Sequence, residues 1–305
     1  MAKAKPEPRS RKRWVNDLLK QRDAVERAIG MPLGAMLGCG HFGCVFRSEG
    51  PWVVKLTVDP TEGPIWATIQ EKIAEAVYGE DGFARVKDII RLRPDVGKRK
   101  LYAIVREDCD PLIAEPHGFF SKRTMRELGI AEHLSDDEGN RFGMGRLRMA
   151  TRTPGALEQV DIEQRYRQKW HDLDRTLTGV LKYLEFGRAA RDLCGQRNRR
   201  GPQSTGYGMV STCAEAKEKA VRAADLMQGG SVGAYLGESL GMLSDYDIVM
   251  FDLHLGNIGW RVHEQLTPDG NEAPLCLVVY DPGHTPTDEK TEIEERMIAN
   301  CRWGG

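Results

Sequence analysis

Between Leu33 and Thr57 glycine and proline cut the chain into short apolar runs, and this stretch constrains the fold more than any other. Gly38-Cys39-Gly40-His41-Phe42-Gly43-Cys44-Val45 lies between Ala35-Met36-Leu37 and Cys44-Val45-Phe46-Arg47, so strand-like residues flank the glycines on both sides. The glycine-rich turn of a doubly wound sheet needs a helix directly after it, and none is indicated here. A G-x-x-x-x-G-K-[ST] phosphate loop is also absent. The glycines therefore read as the turn of a β-hairpin, where a missing Cβ lets backbone N–H groups approach an anion. Ser48-Glu49-Gly50-Pro51 is a reverse turn, and Trp52-Val53-Val54-Lys55-Leu56-Thr57 is a strand rich in β-branched residues.

The remaining periodicities sort the chain into three segments. A leading helix is expected over 14–30, with Trp14, Leu18, Leu19, Val25 and Ala28 on one face. A second helix is expected over 61–78, where Pro64 near its start is tolerated. Ile89–Leu92 and Leu101–Val105 read as further strands, joined by the turn Pro94-Asp95-Val96-Gly97-Lys98. Beyond Asp108, Ile162, Tyr166, Trp170, Leu173, Leu177, Val180, Leu181 and Leu184 recur at helical spacing. A core helix is preferred there over a coiled-coil surface. Residues 195–212 read as a loop. Another helix runs over 231–243, with Val232, Tyr235, Leu236, Leu240 and Leu243 inward, into the strand-like Ile248–Phe251. The class is α+β, with a basic tail and leading helix (1–30), a small antiparallel β unit (31–108) and a mostly helical remainder (109–305).

Three groups of residues carry chemistry. Phe251-Asp252-Leu253-His254-Leu255-Gly256-Asn257 puts an Asp and an Asn five residues apart between apolar runs. Asp281-Pro282-Gly283 follows the strand-like Leu275–Tyr280. Phosphoryl transfer from ATP needs one carboxylate to orient a nucleophile and an oxygen-ligand pair to hold Mg²⁺. Lys55 is the third group. A lone strand lysine usually faces solvent, but its spacing of twelve residues from Gly43 suits a phosphate-binding ammonium. Such a lysine needs a carboxylate. Glu62, in the first turn of the next helix, is the first choice and Glu71 the second; an acid at that place also suits the helix dipole.

In this order the motifs resemble the protein kinase superfamily. The glycine flap 38–45, Val53-Val54-Lys55, Asp252 with Asn257, and Asp281-Pro282-Gly283 span about 245 residues. The form Asp-Leu-His-Leu-Gly-Asn is similar to the Asp-x-His-x-Gly-Asn loops of atypical and small-molecule members, such as aminoglycoside and choline kinase-like enzymes and the ABC1-type kinases. The resemblance covers about 33–110 and 231–283. It implies a two-lobed fold, with an N-lobe of antiparallel strands and a helical C-lobe. It implies ATP and Mg²⁺ as cofactors. Gly38, Gly40, Phe42, Gly43 and Val45 would cover the phosphates and Lys55 would bind them, held by Glu62. Glu107 to Cys109 would form the hinge that meets adenine through backbone groups. Asp252 would orient the attacking hydroxyl, and Asn257 and Asp281 would hold Mg²⁺. His254 is expected to support its loop by hydrogen bonding rather than to act directly.

Departures from the pattern narrow the expectation. Met250-Phe251 stands in place of His-Arg, so control through a phosphorylated activation loop is not expected. Pro282 replaces the Phe of Asp-Phe-Gly. Residues 284–305 are short for an activation segment and later peptide-binding helices, so 110–230 is expected to build the substrate side. The leading expectation is an atypical protein kinase acting on a protein hydroxyl, its own included. A small-molecule kinase, an ATP-binding pseudokinase and a nucleotide transferase on the same fold remain the alternatives.

Composition excludes less. Lys+Arg 44 against Asp+Glu 45 leaves a formal charge of -1, which gives no global case for nucleic acid or membrane. Lys3, Lys5, Arg9, Arg11, Lys12 and Arg13 make a basic tail that reads as solvated chain, and a nucleic-acid or partner contact would be confined to it. Arg197, Arg199 and Arg200 form a second basic cluster in the expected loop. The 7 scattered cysteines complete no zinc spacing and read as reduced thiols of a cytoplasmic protein. No apolar run is long enough to span a bilayer, and the basic N-terminus lacks the apolar stretch of a secretory signal.

Overall fold

The structure, a computed structural model, describes residues 19–20, 22–40, 42–75, 82–96, 99–114, 119–127, 164–194, 202–246, 248–250, 252–261 and 276–282. The basic tail, Arg197, Arg199, Arg200, His41, Phe251, Gly283 and 284–305 lie outside these residues. The fold is α+β and divides into two compact units. The described part of the first is the chain up to Gln70 together with Arg85–Asp108. That of the second is Glu71–Ala84 together with the residues from Cys109 on.

The first unit is a five-stranded antiparallel sheet with a helix on each face. α1 (Arg22–Ile29) precedes β1 (Met36–Cys39), β2 (Gly43–Arg47) and β3 (Trp52–Thr57). α2 (Glu62–Glu75), β4 (Val86–Val96) and β5 (Arg99–Glu107) follow, in the sheet order β1-β2-β3-β5-β4. The period of two decides what each face does. Cys44, Phe46, Val54, Leu56, Ala103 and Val105 alternate onto one face and form a core with Val25 of α1, Met31 and Leu33. The register pairs Val45 with Lys55 and Lys55 with Ile104, so these three share the opposite face. α2 lies on that face, with Gly63 so close to the Tyr102 ring that a Cβ would come within 2.7 Å of it.

The second unit is mostly helical. β6 (Cys109–Pro111), the short pair β7 (Ile113–Ala114) and β8 (Phe119–Phe120), and α3 (Lys122–Glu127) lead to α4 (Gln164–Cys194). Trp170, Leu173, Leu177, Val180 and Leu184 of α4 are buried along one stripe. α5 (Cys213–Gln228) packs against it and buries the small residues Ala216, Ala220, Ala223 and Ala224. At Gly179 a Cβ would sit 2.5 Å from Met227, so glycine is what permits this helix–helix approach. Thr212 caps α5 by accepting from the Glu215 N–H, and Glu215 in turn accepts from the Ser211 N–H. α6 (Ala234–Asp245) follows. A 3₁₀ turn at Leu255–Asn257, β11 (Ile258–Arg261) and β12 (Leu277–Val279) close the unit, in the sheet order β12-β11-β6.

Three expectations are corrected. Residues 203–210 are not simple loop: β9 (Gln203–Thr205) and β10 (Gly208–Val210) form a hairpin. Ile248–Met250 is not a strand, because its N–H groups turn elsewhere: Ile248 donates to the Leu243 carbonyl and Met250 to the Tyr183 hydroxyl. The cysteines are not all reduced, since Cys39 is bonded to Cys44 and Cys194 to Cys213, while Cys109 and Cys276 are buried and form no disulfide. Cysteine usage therefore gives no case for a reducing compartment. No helix among the described residues is long and apolar enough to cross a membrane.

Candidate functional site

In the first unit the glycine flap is the β1–β2 hairpin. The Gly40 N–H donates to the Gly43 carbonyl at 2.8 Å, which makes Cys39 and Cys44 the next directly opposed pair. Such non-hydrogen-bonded pairs approach most closely, and here the Cα atoms are 4.1 Å apart, within reach of the disulfide. The three glycines differ in their reasons. A Cβ at Gly43 would lie 2.6 Å from the Leu56 carbonyl oxygen, so packing alone demands glycine there. A Cβ at Gly38 would meet nothing within 4 Å, and one at Gly40 only the Gly43 oxygen at 3.9 Å. Open space at two glycines leaves room for backbone N–H groups to meet an anion. Phe42 is half-buried, and its carbonyl accepts from the Val58 N–H, which folds the tip back toward the end of β3.

Lys55 lies on the α2 face with Val45 beside it in register. Its ammonium is 2.5 Å from Glu62 Oε1, and the two side chains are 11% and 4% exposed. Glu71, by contrast, is 3.7 Å from Lys72. The pairing follows from a short, rigid connection. Asp59 Oδ1 accepts from both the N–H and the hydroxyl of Thr61, and the Asp59 N–H donates to Thr57 Oγ1. This buried turn starts α2 directly over the end of β3. Asp59 belongs to none of the sequence motifs, although an Asp two residues before a Thr at a helix start is a recognisable turn signal. At the hinge stretch, the Glu107 N–H donates to the Arg85 carbonyl, the Asp108 N–H to the Pro51 carbonyl, and the Glu107 carbonyl accepts from Arg106. These backbone groups already have partners within the first unit. Cys109 opens β6 of the second unit, opposite Arg261 of β11.

In the second unit Asp252, Asn257 and Asp281 are brought together by backbone bonds. The Asp252 carbonyl accepts from the His254 N–H at 3.0 Å and from Asn257 Nδ2 at 2.9 Å. The Asn257 N–H donates to the His254 carbonyl, and His254 Nδ1 accepts from the Gly256 N–H, capping the 3₁₀ turn. The Asn257 carbonyl then accepts from the N–H groups of Tyr280, at 2.9 Å, and Asp281, at 3.4 Å. Asn257 is thus the joint between the Asp252 loop and the segment ending in Asp281. Upstream, the loop is held by Tyr183 of α4, whose hydroxyl accepts from the Met250 N–H at 3.3 Å. Burial pushes the Tyr183 hydroxyl up to about 12, against the opposing pull of its bonds to the Met250 backbone and Ser244.

The donor chemistry fits a hard divalent cation. Asn257 is 6% exposed and its Nδ2 is committed to the Asp252 carbonyl, which directs Oδ1 away from that oxygen. A neutral amide oxygen and a carboxylate from Asp281 are the oxygen ligands that Mg²⁺ takes alongside phosphates and water. Asp252 is half-buried. Tyr183 and Tyr280 carried no motif signal in sequence. The chain matches no protein-family model and no curated protein.

Proposed function

We propose that this chain is an ATP- and Mg²⁺-dependent phosphotransferase with a two-lobed, protein kinase-like fold, which moves the γ-phosphate to a hydroxyl in the manner of an atypical protein kinase. The observation that carries the reading is the joint at Asn257, which ties the Asp252 loop to Asp281 by bonds to two successive N–H groups. The buried Lys55–Glu62 pair and the open space at Gly38 and Gly40 support it from the other unit. Lys55 binds phosphate oxygens, and Glu62 holds its ammonium in place. Asn257 and Asp281 would hold the metal, which when bound neutralises charge on the phosphates. Asp252 orients the acceptor hydroxyl and takes its proton as the acceptor oxygen bonds to the γ-phosphorus and the bond to ADP breaks.

The test is incubation of the full chain with Mg²⁺ and ATP labelled at the γ- or the α-phosphate, beside Asp252→Ala. Label from γ on the protein or on an added hydroxyl substrate, lost in the variant, is the expected result. Label from α would instead indicate nucleotide transfer. ATP binding without transfer of either label would make the chain a pseudokinase.

A further inference from the structure

We infer that Tyr280 is a positioning residue that sets the spacing between Asn257 and Asp281. The inference rests on the phosphotransferase reading of those two residues. Tyr280 immediately precedes Asp281 and is attached to the Asp252 loop twice. Its N–H donates to the Asn257 carbonyl at 2.9 Å, and its hydroxyl donates to the Gly256 carbonyl at 2.5 Å. Its ring also lies beside β11: a Cβ at Gly259 would come within 3.0 Å of a Tyr280 ring carbon.

The need for such a tie follows from where the strand pairing stops. The β11–β12 register ends with Ile258 opposite Val279. Past that pair, the regular strand pairing no longer holds the chain toward Asn257 against the chain toward Asp281. The Tyr280 N–H extends the ladder by one bond. Its side chain then turns back across the gap to Gly256, whose carbonyl lies in the 3₁₀ turn, where terminal carbonyls lack a partner within the turn. Asn257, one residue on, and Asp281, one residue on in the other strand, are therefore held as a pair from both sides. The Tyr280 hydroxyl does not need to touch metal or nucleotide to matter. It fixes the two groups that would.

Tyr280→Phe keeps the ring and its packing against Gly259 and removes only the bond to Gly256. Mg²⁺ requires near-ideal octahedral geometry at short distances, whereas Ca²⁺ accepts looser and more variable coordination. Loss of an outer tie to metal ligands typically costs about 10–100-fold in metal affinity. The expected result for equilibrium binding of a non-hydrolysable ATP analogue is therefore specific. The Mg²⁺ concentration for half-maximal binding rises about 10-fold in Tyr280→Phe. The Ca²⁺ requirement moves far less, metal-free binding is unchanged, and the thermal midpoint stays near that of the parent chain. A Mg²⁺ requirement equal to the parent's would overturn the inference. So would a loss shared equally by Mg²⁺, Ca²⁺ and metal-free binding with a lowered thermal midpoint, which marks a purely structural residue. Asp281→Ala is measured alongside: if it leaves the parent's metal dependence intact, the phosphotransferase reading itself fails, whatever Tyr280→Phe does.

Discussion

Glu62→Gln tests the Lys55–Glu62 pair most directly, because it removes a charge and leaves shape almost untouched. At 2.5 Å the attraction is about 7 kcal/mol with an effective dielectric of about 20. The side chains are 11% and 4% exposed, so water screens the pair weakly, but both ions have also given up their hydration. Desolvation of several kcal/mol per ion offsets most of that attraction, so the intact pair contributes little net stability. The asymmetry appears when one partner is removed, since the other is left charged and buried. Glu62→Gln and Lys55→Met should each destabilise the chain by about 3 kcal/mol. The double variant Lys55→Met with Glu62→Leu, which leaves no charge, should fall within about 1.5 kcal/mol of the parent. Urea unfolding followed by tryptophan fluorescence is suited to this, because Trp66 is fully buried in α2, the helix that carries Glu62. A cost below about 1 kcal/mol for Glu62→Gln, or a double variant that loses the sum of the two singles, would show that Lys55 and Glu62 do not act as a coupled buried pair.

Two further outcomes separate packing from function. Gly43→Ala drives a Cβ against the Leu56 carbonyl and should cost about 1–3 kcal/mol, whereas Gly38→Ala meets open space and should stay within about 0.5 kcal/mol while weakening ATP binding; urea unfolding and nucleotide titration check the two effects. Tyr183 is neutral in both states below its ordinary value of 10; above it the unfolded chain ionises first, while the folded group holds its proton to about 12. Stability should thus fall by about 3 kcal/mol across that window, and the stability–pH curve of Tyr183→Phe should lack this descending limb.

What the sequence discloses depends on whether a signal is local and periodic. The β1–β2 flap and the Lys55 strand are legible because glycine placement and a period of two act over a few residues. The Lys55–Glu62 pair is legible because only residues 58–61 separate strand from helix, so few geometries are open. The stripe from Trp170 to Leu184 follows from a period near 3.6 sustained over several turns. The β9–β10 hairpin escapes because its strands are three residues each, Gln203-Ser204-Thr205 is polar throughout, and Gly208 at φ 119 looks like any loop glycine. Ile248–Met250 misleads for the converse reason: its composition suits a strand, but its N–H groups are taken by Leu243 and Tyr183. The Cys39–Cys44 bond was in principle readable, since a hairpin closed at Gly40 and Gly43 sets the flanking positions opposite each other. Tyr280 is different in kind. Its neighbour Asp281 carries the recognisable signal, while its own contribution is a hydroxyl reaching 24 residues back to Gly256. A motif names the groups that meet the substrate, but the residues that hold those groups at a working distance are specified by the register of β11 against β12. Substitution of such residues should change metal dependence before it changes the fold.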